Sequence, residues 1–212
     1  IYIENIDHSI KFNHQCIMDN KFHGNFTQQD GLPEIAIERA TRVLRSGRLH
    51  RYNLGKDEIG EVGSLELEFA KFINVKYCLA VASGGYTLST ALRALGVGHG
   101  DNVLTNAFTL APVPGAIASV GATPIFVGVT DNLVIDFDDL EAKSQNAKVL
   151  MLSHMRGHIC DMDRLLSICA SNNIQLIEDC AHTMGAKWGD RWSGTDLSLI
   201  HISEPTRRTP IS

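Results

Sequence analysis

The sequence predicts an α/β fold in which a mostly parallel sheet carries helices on both faces. From Tyr77 onward, short apolar runs alternate with stretches of helical periodicity, and the links between them are short. Residues 149–152 and 176–177 contain no polar residue. Strands without polar alternation are typical of a parallel sheet that is covered on both faces.

Two helices are predicted before this alternating region. Residues 33–46 place apolar side chains along one stripe, and Gly47 follows as a helix stop. Residues 64–72 repeat the apolar spacing. The intervening residues 48–63 are polar and contain glycines, so we expect a loop there.

Strands and helices then follow one another in order. The predicted strands are residues 77–82, 102–105, 124–129, 148–153 and 174–178. The predicted helices lie near residues 86–95, 112–120, 138–143 and 161–171. Residues 186–188 and 191–192 flank Gly189-Asp190, which predicts a short hairpin.

Composition and charge narrow the classes of function. The 212 residues are 44% hydrophobic and 20% charged, as in ordinary globular proteins, and the net charge of −5 gives no electrostatic reason to bind nucleic acid or an anionic membrane. The N-terminus lacks the pattern of a signal peptide, and no apolar run approaches the length of a membrane span. Five cysteines, an odd number with three in apolar runs, predict reduced thiols and a cytoplasmic protein.

Both ends of the chain look foreign to the fold. Residues 1–17 are polar and lack a period, and Met18 is a plausible start; the alternatives are read-through from upstream and a natural disordered arm. Residues 197–212 resemble a translated sequencing-library adapter, with a flexible tail as the alternative. We therefore expect a non-native or disordered leader at 1–17, a partial cofactor-binding domain at 18–196 and an adapter-derived tail at 197–212.

The most informative segment is the predicted strand that ends in Glu178 and Asp179 and is followed by His182. Ligands of open α/β sheets bind at the carboxyl ends of the strands. A carboxylate at that position can hold the cationic ring nitrogen of a cofactor, and the histidine could donate to, or accept from, a phenolic oxygen on the same ring. The alternative is that both acids cap the next helix or face solvent, and that the histidine is a satisfied, partly buried side chain.

A second motif, Ser83 followed by Gly84 and Gly85, joins a predicted strand to a predicted helix. Glycines let the backbone approach a phosphate closely, and the first N–H groups of a helix are unpaired donors. The alternative is that the glycines serve only the turn. A ring partner and a phosphate cradle at strand ends together suggest pyridoxal phosphate.

Two other loops carry candidate residues. His154 and His158 are four residues apart, but Gly157 and the preceding strand favour a loop and no second Cys/His pair follows at zinc-site spacing, so we expect no metal site. After the strand at 102–105, Phe108 or Leu110 could cover one face of a flat ring, with ordinary core packing as the alternative.

Several ordered motifs resemble one family, the DegT/DnrJ/StrS sugar aminotransferases, over residues 32–196. They are residues 80–85, 91–101, 121–127, 161–163 and 177–182, together with the helix that leads to Ser46-Gly47-Arg48. The resemblance implies the fold-type I architecture of pyridoxal phosphate enzymes: a large α/β domain, then a smaller domain, assembled as a homodimer. It also implies that Asp179 pairs with the pyridine nitrogen, that His182 contacts the ring oxygen, and that Gly84 and Gly85 present N–H groups to the phosphate.

The sequence departs from the family pattern at three places. Gly85 stands where the family usually has threonine, and Leu110 stands where an aromatic residue often stacks on the ring. The lysine that forms the Schiff base is expected beyond Asp196, because the last lysine, Lys187, lies in the predicted hairpin. No catalytic residue is therefore assigned within this chain.

The resemblance implies that the parent protein moves an amino group, typically from glutamate, onto a keto-sugar that is usually nucleotide-linked. Two alternatives stay open. Related sugar dehydratases carry histidine at the lysine position, so the parent could be a pyridoxal phosphate-dependent dehydratase. The chain could also be a non-catalytic ligand-binding protein or a non-functional fragment.

Overall fold

The computed structural model describes residues 31–52 and 54–195, together with the backbone of residues 200–201. The expectations for the leader at 1–17 and for most of the tail at 197–212 lie outside this part and stay predictions. The chain divides into two compact units, Ile1–Asn53 and Leu54–Ser212.

The described part of the first unit is built around one helix, α1, at Glu34–Ser46. This confirms the helix predicted at 33–46. It ends at Gly47, whose left-handed φ of 67° suits a residue without a side chain, and the Gly47 N–H donates to the carbonyl oxygen of Leu44 at 3.2 Å. No residue of α1 is buried.

The second unit contains the parallel sheet that the sequence predicts. Its four long strands are β1 at Asn102–Asn106, β2 at Thr123–Val127, β3 at Val149–Ser153 and β4 at Gln175–Asp179. They lie in the order β2-β1-β3-β4, and every neighbouring pair is parallel. The predicted fold class is confirmed, with each of these strands within two residues of its predicted bounds.

Two helices of this unit precede β1, and the other three alternate with the strands. They are α2 at Glu61–Phe72, α3 at Gly84–Ala94, α4 at Pro112–Ser119, α5 at Phe137–Lys143 and α6 at Met162–Ser171. Asp136 and Asp161 cap α5 and α6, because their side chains accept hydrogen bonds from the first-turn N–H groups. The predicted alternation of strand and helix is therefore present from β1 to β4.

Successive residues of the strands point to opposite faces and pack against different helices. On one face, α3 and α4 pack with alternate strand residues: Val103, Val149, Met151 and Ile177. On the other, α5 and α6 pack with the residues between them: Leu104, Leu150, Leu152 and Leu176. All five residues of β3 are buried, which explains why that strand shows no polar alternation.

Three short strands complete the described structure. Strands β5 at Lys187–Trp188 and β6 at Arg191–Trp192 form the predicted antiparallel hairpin. Strand β7, Ile200–His201, lies within the tail and pairs in parallel with the last two residues of β4. Among the described helices, none combines the length and the apolar character that crossing a membrane requires.

The strand predicted at residues 77–82 is wrong, because the structure assigns no strand there. Side chains in this segment are open to solvent, with Tyr77 77% and Leu79 61% exposed. The N–H of Ala80 donates to the Glu66 carboxylate at 2.8 Å. An apolar run becomes a strand only where a neighbouring strand completes its hydrogen-bond ladder. The residues of the run do not show whether such a neighbour is present.

Leu165 in α6 is fully buried, whereas Leu67 in α2 is 62% exposed. We predict that Leu165→Ala lowers the free energy of unfolding by about 2–5 kcal/mol, because it leaves a cavity in the core. The matched change Leu67→Ala should cost less than about 1 kcal/mol. Urea unfolding followed by circular dichroism measures both, and equal losses would contradict the assignment of the α6 face to the core.

Burial raises the pKa of Cys160 and Cys180 to about 12 and that of Cys169 to about 11, from an ordinary value of 9.0. Below pH 9 these thiols are neutral in both the folded and the unfolded chain. Above it only the unfolded thiols ionise, so the free energy of unfolding falls by about 1.4 kcal/mol per thiol between about pH 8 and pH 10.

Urea unfolding at the two pH values measures this loss, and Cys169→Ala isolates the contribution of one thiol. We expect the loss between the two pH values to be about 1.4 kcal/mol smaller in this variant. An unchanged loss would mean that Cys169 ionises as readily in the folded chain as in the unfolded one.

Candidate functional site

Polar side chains are buried where β3 and β4 end. Ser153, His154, Glu178 and Asp179 are each at most 8% exposed. The alternative in which both acids face solvent is therefore wrong. Because buried polar groups need hydrogen-bond partners, these four residues must satisfy one another or their neighbours.

Asp179 is held by hydrogen bonds to both carboxylate oxygens. Its Oδ2 accepts from the hydroxyl of Ser153 at 3.3 Å, and its Oδ1 accepts from the backbone N–H of Ala181 at 3.2 Å. Its carbonyl oxygen accepts from the N–H of His154 at 3.1 Å. The carboxylate is thus fixed in orientation at the carboxyl edge of the sheet.

Ser153 is itself positioned by Asn106, the last residue of β1. The Ser153 N–H donates to Asn106 Oδ1 at 2.9 Å, and Asn106 Nδ2 donates to the carbonyl oxygens of Ser153 at 3.1 Å and Phe108 at 2.8 Å. One chain of hydrogen bonds therefore joins the ends of β1, β3 and β4. Sequence reasoning missed Asn106 and Ser153, although a polar residue ending an apolar strand is a usable signal.

His154 and Glu178 form a second buried pair next to this chain. His154 Nε2 lies 3.0 Å from Glu178 Oε2, which also accepts from the N–H of Gly194 at 3.2 Å. The sulfur of Cys180 lies 3.3 Å from the hydroxyl of Ser193. These contacts join the carboxyl edge of the sheet to the segment after the β5–β6 hairpin.

His154 and His158, the two histidines of the predicted loop, have different neighbours. His154 is buried against Glu178, whereas His158 is exposed and its ring meets that of Phe108 edge-on at 6.4 Å. Of the described residues, His154, Glu178 and Cys180 have donor atoms within 4.8 Å of one another. All three already hydrogen-bond to protein groups, and the expectation of no metal site stays a prediction.

His182 lies just beyond β4 and is exposed. Its Nδ1 accepts a hydrogen bond from the backbone N–H of Arg156 at 3.1 Å. Arg156 belongs to a 3₁₀ turn at Met155–Gly157, which directly follows β3. The structure thus brings His182 and Asp179 to the same edge, one presented to solvent and one buried.

Gly84 and Gly85 form the start of α3. The hydroxyl of Ser83 accepts from the N–H of Tyr86 at 3.3 Å, and its carbonyl oxygen accepts from that of Thr87 at 3.0 Å. The N–H groups of the two glycines are the ones that the helix cannot pair internally. A Cβ built on Gly85 would meet no atom within 4 Å, so the space beside this residue is open.

The chain path predicts that this helix start lies at the carboxyl edge of the sheet. The end of α3 leads through residues 95–101 into the amino end of β1, so the helix runs antiparallel to the strands. Its eleven residues span roughly 16 Å, about the length of a five-residue strand. A position of Gly84 and Gly85 near the edge that holds Asp179 is therefore what the chain path predicts.

Leu110 lies in the link from β1 to α4, which begins at the same edge, and its side chain is 43% exposed. Phe108 in the same link is half-buried. This edge thus holds the Asp179 carboxylate, the His182 imidazole and the link that carries Leu110. The roles of these residues, and of Gly84 and Gly85, as contacts of pyridoxal phosphate stay predictions.

Comparison with known proteins places these residues in context. Residues 32–202 match the family described as the DegT/DnrJ/EryC1/StrS aminotransferase family. The GDP-perosamine synthase of Escherichia coli O157:H7 is 37% identical over 144 residues, which cover 66% of this chain and 39% of that protein. The dTDP-3-amino-3,4,6-trideoxy-alpha-D-glucose transaminase of Micromonospora megalomicea subsp. nigra is 35% identical over 161 residues, covering 75% and 41%.

A solved structure gives the same result for the fold. The aminotransferase from Psychrobacter cryohalolentis superimposes with a TM-score of 0.71 at 31% identity, covering 80% of this chain and 42% of that one. The chain thus spans less than half the length of the relatives that it matches.

Removing one member of the buried His154–Glu178 pair should leave the other without its side-chain partner. We predict that His154→Leu and Glu178→Leu each lower the free energy of unfolding by about 3–5 kcal/mol. The double variant should cost less than the sum by about 1–3 kcal/mol.

Urea unfolding of the four proteins gives the coupling energy, and Glu178→Gln is the matched control because it keeps an oxygen for Gly194 and His154. It should lose less stability than Glu178→Leu. Additive losses in the two leucine variants would show that the two side chains do not stabilise each other.

Proposed function

The chain belongs to the DegT/DnrJ/EryC1/StrS aminotransferase family, and from this premise we propose that it forms part of the cofactor-binding domain of a pyridoxal phosphate-dependent sugar aminotransferase. The observation that carries the proposal is the buried Asp179 carboxylate at the end of β4, fixed by Ser153 and Ala181. A carboxylate held in one orientation at the carboxyl end of a strand is placed to bind a cationic ring nitrogen.

Each candidate residue would hold a different part of the cofactor. Asp179 would accept a hydrogen bond from the ring nitrogen, and His182 would contact the ring oxygen. Gly84 and Gly85 would donate their N–H groups to the phosphate, which the helix dipole of α3 also attracts. Leu110 would cover a ring face by apolar contact, without the stacking that an aromatic side chain provides.

When bound, the cofactor supplies an electron sink for the carbanion that forms beside the transferred amino group. The part of this chain is to bind and orient it. Asp179, shielded from water, would keep a proton on the ring nitrogen, because a charge pair in a low-dielectric site interacts more strongly than one in water.

The names of two relatives support a proposal for the substrate class. They are named as a GDP-perosamine synthase and a dTDP-amino-sugar transaminase, which supports a nucleotide-linked keto-sugar as the amino acceptor. We propose glutamate as the amino donor and a homodimer with a second, smaller domain as the complete enzyme. The cysteine thiols in the described part of this chain are free, which supports the proposal of a cytoplasmic location.

A dehydratase of the same fold remains the second candidate. The reaction depends on the residue that follows the next strand of the large domain, which we propose lies beyond Asp196. Reading the source DNA past the codon for Asp196 identifies that residue. A lysine would support amino transfer, and a histidine would support dehydration. Any other residue at that position would favour the non-catalytic alternative.

Pyridoxamine phosphate tests the cofactor site in this chain, because its binding needs no lysine. We predict that Asp179→Asn weakens binding roughly 10- to 100-fold, since it removes the charge of a hydrogen-bonded ion pair and keeps the side-chain shape. Isothermal titration calorimetry measures the dissociation constants.

Asp190→Asn is the matched control, because Asp190 is an exposed residue in the β5–β6 hairpin. It should bind pyridoxamine phosphate like the unmodified chain. Equal affinities in all three proteins would refute the role of Asp179, and absence of binding to the unmodified chain would refute the cofactor site itself.

A further inference from the structure

We propose that the backbone N–H of Arg156 fixes His182 in the tautomer that carries its proton on Nε2, which makes His182 a hydrogen-bond donor to the ring oxygen of the cofactor. The donor role rests on the function proposed above; the tautomer does not. Arg156 acts here as a positioning residue, through its main chain.

The tautomer follows from one hydrogen bond. Arg156 N–H donates to Nδ1 of His182 at 3.1 Å, so the lone pair of Nδ1 is occupied as an acceptor. A neutral imidazole has one acceptor and one donor nitrogen, and the hydrogen bond at one nitrogen determines the state of the other. The proton must therefore lie on Nε2.

The Arg156 residue that donates this N–H has an unusual backbone conformation. Arg156 has a φ of 59° and a ψ of 17°, the left-handed region that residues other than glycine rarely adopt. Gly157 follows with a φ of 85°. Conformations of this kind persist where the surroundings hold them, and they concentrate at functional sites.

Both sides of the hydrogen bond are anchored to the buried network. The turn follows His154, whose ring is paired with Glu178 and whose N–H donates to the Asp179 carbonyl oxygen. The Gly157 N–H donates back to the His154 carbonyl oxygen at 3.0 Å. A Cβ on Gly157 would lie 3.5 Å from the backbone oxygen of His182, so the turn and the segment after β4 are in close contact.

The chemical consequence concerns the direction of donation. A histidine that can adopt either neutral tautomer could donate to a ring oxygen or accept from it. With Nδ1 occupied, neutral His182 can only donate from Nε2, which favours the ionised ring oxygen over the hydroxyl form. Glutamine could fill the same role, because its amide also carries an acceptor and a donor.

Nitrogen-15 NMR of the labelled 212-residue chain tests the tautomer without any substitution. We expect His182 to show a protonated Nε2, an unprotonated Nδ1 and a scalar coupling across the hydrogen bond between Nδ1 and the Arg156 amide nitrogen. A proton on Nδ1, or no coupling, would overturn the inference.

Variants separate the main chain from the side chain. His182→Leu removes the acceptor and should speed exchange of the Arg156 amide hydrogen with solvent at least tenfold, whereas His182→Gln should keep it within about threefold of the unmodified chain. Arg156→Ala keeps the N–H and should leave the tautomer unchanged. Equal exchange in the leucine and glutamine variants would contradict the hydrogen bond.

Titration with pyridoxamine phosphate tests the donor role. We expect the His182 Nε2 resonance to shift while Nδ1 keeps its coupling to Arg156. A preserved tautomer with no response of His182 would overturn the donor role and count against the proposed cofactor site. A response with the proton on Nδ1 would overturn the tautomer alone.

Discussion

The need to pair buried polar groups at the carboxyl ends of β3 and β4 is the constraint on which this site depends. Ser153, His154, Glu178 and Asp179 are all buried, and an unpartnered polar group there would cost free energy of the order of a lost hydrogen bond. The solution is a connected network that runs from Asn106 through Ser153 to Asp179, with His154 and Glu178 beside it. Its members hold one another in place.

The sheet explains why the network can support function. Parallel strands end at one edge, and each is followed by a link to a helix, so side chains distant in sequence meet there. Helices on both faces shield the strands from water, which strengthens the hydrogen bonds at their ends. The chain path from α3 into β1 predicts that Gly84 and Gly85 lie near the same edge.

Much of this fold is predictable from the sequence because strands and helices leave local signatures. The apolar runs of β1 to β4, the stop at Gly47 and the hairpin around Gly189-Asp190 were each predicted within a few residues. The prediction of a strand at 77–82 is wrong because a strand needs a neighbouring strand to pair with, and the residues of the segment do not show whether one is present. The role of Asp179 and His182 as cofactor ligands stays a prediction, although both lie at the expected edge.

The supporting residues could not be predicted for a related reason. Asn106 lies 47 residues from Ser153, and Arg156 lies 26 residues from His182. No sequence periodicity spans such distances. The donor at Arg156 is a backbone N–H, which the residue type does not reveal. A long-range hydrogen bond becomes visible only when the strands are in register.

Nitrogen-15 NMR of ring-labelled pyridoxamine phosphate bound to the chain tests directly whether Asp179 holds a protonated ring nitrogen. The measurement should be made above the pH at which the free ring nitrogen loses its proton. We predict that the bound ring nitrogen stays protonated and is coupled to the Asp179 carboxylate. A bound ring nitrogen that is unprotonated at that pH would contradict the assignment.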